Sequence, residues 1–326
     1  RICTDIEEVI ISRIFSMSSR NQSACPFYTL FLNYHCRQNR ESRRKALRHV
    51  ACHSRPLQPS HKFGGQYHKA AGYWEKRTKC HLARLLEDRE KEFFYDQKKA
   101  DDAIDWIETH GFHTEGKLAP GPLLLELWEK CFVASLFGIV DKDGLRQFRE
   151  VVLIIGRKNG KSLLAAAIAK YVWQIEGGFG AKVYNIAPKL DQADIIYNNI
   201  WQMTLLDPEY QQMKEALSER DAHNKKVLDD SELPKHRMSD LYVTATNSQV
   251  KKIAFSAKKS DGFNPSLCVC DEIASWEGDA GLKQYEVMKS GMGARAESLL
   301  ISCTTSGYVN DSIYDELMKR STRFLL

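Results

Sequence analysis

Apolar residues are distributed unevenly along this chain. Up to about residue 66, Cys, His, Ser and Arg are mixed with no sustained helical or strand period, and no element is predicted there. From Tyr67 the pattern sharpens. Tyr73–Glu92 and Lys98–His110 carry apolar residues at helical spacing, with Ala103, Ile104, Trp106 and Ile107 as the packing face of the second. Gly111 reads as a helix stop and Pro120-Gly121-Pro122 as a turn. Leu123–Phe137 then predicts a third helix bearing Trp128 and Phe132.

Beyond the Asp141-Lys142-Asp143-Gly144 turn, strand and helix patterns alternate. Val151–Ile155 and Leu267–Cys270 are continuous apolar runs, as for strands buried on both faces. Ala181–Ala187 and Ser298–Ser302 are further strands. Leu241–Thr246 and Lys251–Ser256 form a hairpin around Asn247-Ser248. Helices are predicted at Lys161–Ile175, at Leu190–Glu215 with a break near Pro208, at Leu282–Met292, and at Ser312–Arg320. This alternation predicts an α/β fold, a mostly parallel sheet flanked by helices. We divide the chain into residues 1–66, a segment expected to be disordered or non-native; 67–145, an N-terminal helical region; and 146–326, the α/β domain, expected to be cut short at its C-terminal end. A first residue Arg1 in place of Met suits a fragment or a processed chain.

Charge changes this picture. The 326 residues carry a net +5, but residues 1–84 hold sixteen Lys/Arg and five Asp/Glu, or +11, leaving 5 − 11 = −6 for the rest. Any contact of the body with nucleic acid must therefore come from local patches. One such patch is Lys251, Lys252, Lys258 and Lys259, for which a solvated face is the bland alternative. The run Arg37–Arg48 reads as solvated. Cys36, His49, Cys52 and His53 match no common zinc spacing, and chance clustering accounts for them. Nine scattered cysteines without a CxxC pair suit a reducing, cytosolic compartment. No apolar run approaches the ~20 residues that cross a bilayer, and no membrane partner is expected.

The densest chemistry lies at Gly156-Arg157-Lys158-Asn159-Gly160-Lys161-Ser162, between a buried strand and an Ala-rich helix. That placement makes a phosphate loop. Backbone N–H groups and the helix N-terminus form an anion nest, and Gly160 admits close approach of the main chain. Lys161 would meet the β/γ oxygens of ATP, and the Ser162 hydroxyl would meet Mg²⁺. The glycine that usually stands five residues before Gly160 is replaced by Ile155, with Gly156 shifted by one and Arg157 inside the loop. Arg157 is either a solvated rim charge or a γ-phosphate sensor, in its own subunit or a neighbour's.

An NTPase with such a loop needs acids at the tip of a neighbouring strand. Leu267–Cys270 ends in Asp271 and Glu272, the first placed for the metal and the second for polarising the attacking water. Taken alone, two acids at a strand end are common. Downstream of a phosphate loop they are specific. A third strand ends in Thr304-Thr305-Ser306-Gly307, whose hydroxyls suit a γ-phosphate contact that relays its loss, or an ordinary turn.

In order and spacing, Arg157–Ser162, Asp261-Gly262-Phe263-Asn264-Pro265 before Cys270-Asp271-Glu272, and Thr304–Gly307 resemble the large terminase subunit of tailed bacteriophages. The likeness runs from about Tyr67 to Leu326 and includes Phe93–Gly138. It implies a P-loop NTPase of the ASCE type with an N-terminal helical region. It implies ATP and Mg²⁺ as cofactors, Arg157, Lys161 and Glu272 as catalytic residues, Ser162 and Asp271 at the metal, and Thr304, Thr305, Ser306 and Gly307 as the coupling motif. Double-stranded DNA, a portal protein, a small terminase subunit and further copies in a ring are the implied partners. The implied location is the host cytoplasm and, transiently, the procapsid portal vertex. Two departures stand out. The family often has Pro-Trp-Gln ahead of the loop, its glutamine reading adenine, where this chain has Leu127-Trp128-Glu129. An ionised Glu129 accepts hydrogen bonds but donates none, which puts base recognition in question. Only nineteen residues follow Gly307, so the family's ribonuclease-H-like nuclease domain is not expected in this chain, nor is DNA cleavage. Two other readings stay open: another P-loop translocase of helicase type, and a nucleotide-binding assembly subunit without turnover.

Overall fold

The computed structural model describes residues 8–12, 93–217, 230–254, 262–305 and 312–325. The helix expected at Tyr73–Glu92, the Cys36/His49/Cys52/His53 group, the Arg37–Arg48 run, Lys258, Lys259, Asp261, Ser306 and Gly307 lie outside them.

Eight strands make one sheet in the order β1-β4-β10-β9-β5-β8-β7-β6, and β2 (Phe93–Tyr95) pairs separately with β3 (Ile139–Asp141). The strands are β1 (Glu8–Ser12), β4 (Glu150–Ile154), β5 (Lys182–Ala187), β6 (Lys235–His236), β7 (Asp240–Val243), β8 (Ser248–Ala254), β9 (Leu267–Cys270) and β10 (Leu299–Thr304). From β1 across to β8 every pairing is parallel. β7 and β6 add an antiparallel wing, so the sheet is mixed. Strand β1 falls in a stretch for which the apolar pattern predicted no element.

The helices are α1 (Gln97–His110), α2 (Leu127–Gly138), α3 (Lys161–Tyr171), α4 (Leu190–Leu206), α5 (Pro208–Ala216), α6 (Gly278–Gly291) and α7 (Ile313–Leu325). One face of the sheet packs Val151, Leu153, Val183 and Val269 against Ile107, Phe132, Leu164 and Ile196 of α1 to α4. The other packs Val152, Ile154, Cys268 and Leu300 against Tyr285, Met288 and Leu317 of α6 and α7. β4, β9 and β10 are buried along their whole length; β9 and Val151–Ile154 of β4 accordingly read as unbroken apolar runs, whereas β4 starts with a buried Glu150 and β10 carries buried Ser302 and Thr304.

Several boundaries move for identifiable reasons. Helix α2 starts at Leu127, four residues later than the pattern suggested, because the Glu129 carboxylate takes the Glu126 N–H (2.8 Å) and fixes Glu126 as an extended cap. The helix after the phosphate loop ends in a π-turn, Val172–Glu176, closed by Gly177 N–H donating to Val172 O (2.8 Å). A Cβ at Gly177 would meet that oxygen at 2.6 Å. The break at Pro208 separates α4 from α5, with Asp207 capping the second.

One buried charge ties three helices together. Lys170, fully buried in α3, puts its ammonium 2.6 Å from Asp207 Oδ2 and 2.7 Å from His110 O. Trp106 of α1 stacks on His110 and lies under the same ammonium. Burial pushes the Lys170 pKa down while Asp207 pulls it back up.

Candidate nucleotide site

Gly156–Gly160 leave the end of β4 as an exposed loop, and Lys161 opens α3. Lys158 (φ +64°) and Gly160 (φ +74°) are left-handed, and the helical residues after Gly160 complete the alternation that turns successive N–H groups toward one point. Asn159 Nδ2 donates to Gly156 O (3.1 Å) and closes the loop on itself. Ser162 is half-buried in the first turn of α3, where the helix dipole favours an anion. Arg157 and Lys158 are exposed.

The acids lie across from this loop. Lys161, 8% exposed, holds its ammonium 2.5 Å from Glu272 Oε1 and 3.8 Å from Asp271 Oδ1. Residues 111 positions apart in sequence therefore share one crevice. Asp271 is buried, and desolvation pushes its pKa up; the Lys161 ammonium opposes that rise and the Glu272 charge adds to it. The turn carrying the acids is firmly held. Asp271 Oδ1 accepts from Glu272 N–H (3.0 Å), fully buried Trp276 donates from Nε1 to Asp271 O (2.9 Å), and Ser275 Oγ donates to Glu272 O (2.7 Å). Glu272 itself is left-handed (φ +50°), a backbone conformation uncommon outside glycine. Trp276 escaped the sequence reading, since no spacing marks a lone tryptophan as the clamp of a turn five residues away.

Between the loop strand β4 and the acid strand β9 lies β10. Its last residue, Thr304, touches both neighbours. Thr304 O accepts from Ile155 N–H (3.0 Å) at the loop's start. Thr304 Oγ1 accepts from Ala274 N–H (3.2 Å), two residues past Glu272, and donates to Thr305 O (2.8 Å). Of the expected coupling residues, Thr304 and Thr305 are thus at the site.

Glu129 reaches the loop from α2. One carboxylate oxygen serves Glu126 N–H, and the other lies so close to Gly160 that a Cβ there would sit 3.5 Å from it. Burial raises the Glu129 pKa to about 7; the hydrogen bond from Glu126 opposes this, and the charges of Glu126 and Glu108 reinforce it. This carboxyl therefore abuts the phosphate loop, a placement that reading it as an adenine contact did not anticipate.

The donor set suits a nucleotide with Mg²⁺. A hydroxyl and a buried carboxyl offer the hard oxygen ligands that this cation prefers, and the ammonium beside them already marks a place where opposite charges meet. A loop of this shape after a buried strand, faced by acids two strands away, defines a P-loop NTPase. The profile of the family described as "Terminase large subunit, ATPase domain" matches residues 127–323, and the chain belongs to that family. The large terminase of HK97 bacteriophage is similar in fold, with TM-score 0.53 and 20% identity over 69% of this chain and 41% of that one. The large terminase ATPase domain of Thermus phage P74-26 is 20% identical, with TM-score 0.32 over 49% of this chain and 61% of that one. This chain thus spans about two fifths of the HK97 large terminase. A sequence comparison with curated proteins returns no match.

Proposed function

We propose that this chain hydrolyses ATP and couples the hydrolysis to movement of double-stranded DNA into a procapsid. The observation that carries the proposal is the Lys161–Glu272–Asp271 cluster facing the phosphate loop. The amides of Gly156–Ser162 would hold the triphosphate and Arg157 would lie at its rim. Mg²⁺, when bound, would be held by Ser162 and Asp271 and would neutralise charge on the phosphates. Lys161 exchanges its carboxylate partner for phosphate oxygens, which frees Glu272 to accept a hydrogen bond from the attacking water. Thr304 is bonded to both the loop strand and the acid turn, which supports a role in relaying a change from either side. Helices α1 and α2, packed on the sheet and on α3, would brace this domain. A portal protein, a small terminase subunit and further copies in a ring would complete the motor at the procapsid portal vertex in the host cytoplasm.

The test is phosphate release with and without duplex DNA, beside nucleotide binding. Glu272→Gln should keep ATP affinity and lose turnover by roughly two orders of magnitude or more, whereas Lys161→Ala should weaken both. Equal loss of binding in the two variants would contradict these roles. Absence of release in the unaltered chain would favour a nucleotide-binding assembly subunit. Release together with strand separation would favour a helicase-like translocase.

A further inference from the structure

The basic side chains of the sheet's far wing are sorted by face. Leu241, Val243 and Val250 point into the core beneath α4. Strand alternation therefore sends Tyr242, Gln249 and Lys251 to the opposite face, where all three are only half-buried. Register extends this face sideways. Lys182 of β5 pairs with Gln249, Gln249 with Tyr242, and Tyr242 with Lys235 of β6. These four residues form one rung across four strands, a span of about 14 Å at the usual ~4.8 Å strand spacing. Arg237 lays its guanidinium over the Tyr242 ring at 4.5 Å, on the same side. Lys252 faces the other way. Its ammonium is 2.6 Å from Asp194 and 4.7 Å from the Tyr197 ring, so the sequence patch that joined Lys251 to Lys252 is split between two faces.

We infer that this face, carrying Lys182, Lys235, Lys251 and Arg237, binds the phosphate backbone of duplex DNA, an assignment that rests on the packaging function proposed above. Charge complementarity is the argument. Among the described residues, two carboxylates accompany the four cations: Asp230, 3.2 Å from Lys235, and Asp240, opposite Lys251 in the register. The described residues of this face therefore keep a positive excess, although residues 85–326 are net negative. A rung of about 14 Å is also on the scale of a major groove about 12 Å wide, so its two terminal lysines can meet phosphates on both rims. Gln249 and Tyr242 between them supply neutral hydrogen-bonding groups. Such contacts position a duplex without reading its sequence, which suits a motor that must accept any sequence.

The experiment measures binding of a fluorescent duplex of random sequence by the 326-residue chain, from about 50 to about 200 mM salt. The Lys182→Gln/Lys235→Gln/Lys251→Gln variant should bind at least about tenfold more weakly at low salt. Its salt slope should be shallower by about 2 to 3, near 0.9 for each lost phosphate contact. A Lys117→Gln/Lys142→Gln control alters exposed lysines elsewhere and should bind like the unaltered chain. Circular dichroism melts check folding, and if the triple variant does not fold, each single variant should lower the slope by about 1. Unchanged affinity and slope would overturn the face assignment and leave the packaging function standing, as would equal loss in the control. An acidic protein partner on this face would give that same unchanged result. Failure of the unaltered chain to bind duplex would overturn both.

Discussion

Replacing Glu129 by glutamine removes a buried titratable group from beside the phosphate loop and restores the residue that terminases often carry there. Its carboxyl pKa is about 7 in the folded chain against an ordinary 4.5, chiefly because burial penalises the charged form. Between those two values the folded chain holds a proton that the unfolded chain has released. The stability contributed by this group is therefore complete below about pH 4.5 and is lost as pH rises through about 7. A shift of that size corresponds to at most about 3.5 kcal/mol, at about 1.4 kcal/mol per pH unit. Glutamine can still accept the Glu126 N–H hydrogen bond and carries no charge at any pH. Urea unfolding of both proteins at a series of pH values from 5 to 8.5 isolates the effect, since groups common to both cancel in the difference. The glutamine variant should gain relative stability as pH rises from 5 to about 7 and the difference should then level off. Parallel stability curves would refute the assignment of a neutral, buried Glu129.

Other expectations follow from single contacts. Lys170→Met leaves the Asp207 carboxylate buried without its cation. It should cost about 3 kcal/mol, read as a lower denaturation midpoint at unchanged m-value. Thr304→Val removes the acceptor for Ala274 N–H and should cost about 1 kcal/mol or more in the same measurement. In this variant ATP affinity should persist while phosphate release slows; equal loss of both would place Thr304 in binding instead. Gly160→Ala meets no clash, its Cβ lying 3.5 Å from Glu129, but forces alanine into a left-handed backbone. The strain, about 1 kcal/mol, should lower the melting temperature by a few degrees.

The parts of the fold that could be read from sequence were those set by solvent. β9 and Val151–Ile154 of β4 are shielded on both faces, so burial leaves only apolar residues and cysteines there and the runs are unmistakable. The phosphate loop and acid pair were readable because their chemistry demands particular residues at strand ends. What escaped the sequence depends on contacts between distant residues. Nothing near Glu129 in sequence announces that its carboxyl will rest against Gly160, and nothing near Lys170 names Asp207 as its partner. Strand β1 was missed although Val9-Ile10-Ile11 is a short β-branched run, because only its parallel pairing with β4 distinguishes it from the irregular stretch around it. Lys251 and Lys252 show the opposite case. Adjacent lysines on a strand must face opposite sides, and since both lie within the predicted strand Lys251–Ser256 the two-residue period already separates them.

Because β10 is hydrogen-bonded in parallel to both flanking strands and sealed from water throughout, it serves the domain as a keel. Segments of this kind open only at a cost near that of unfolding the whole domain. Sliding β4 against β9 is thus too expensive to accompany each turnover, and the heights of Lys161 and Glu272 relative to one another stay constant. On the function proposed above, any stroke must therefore arise outside these three strands.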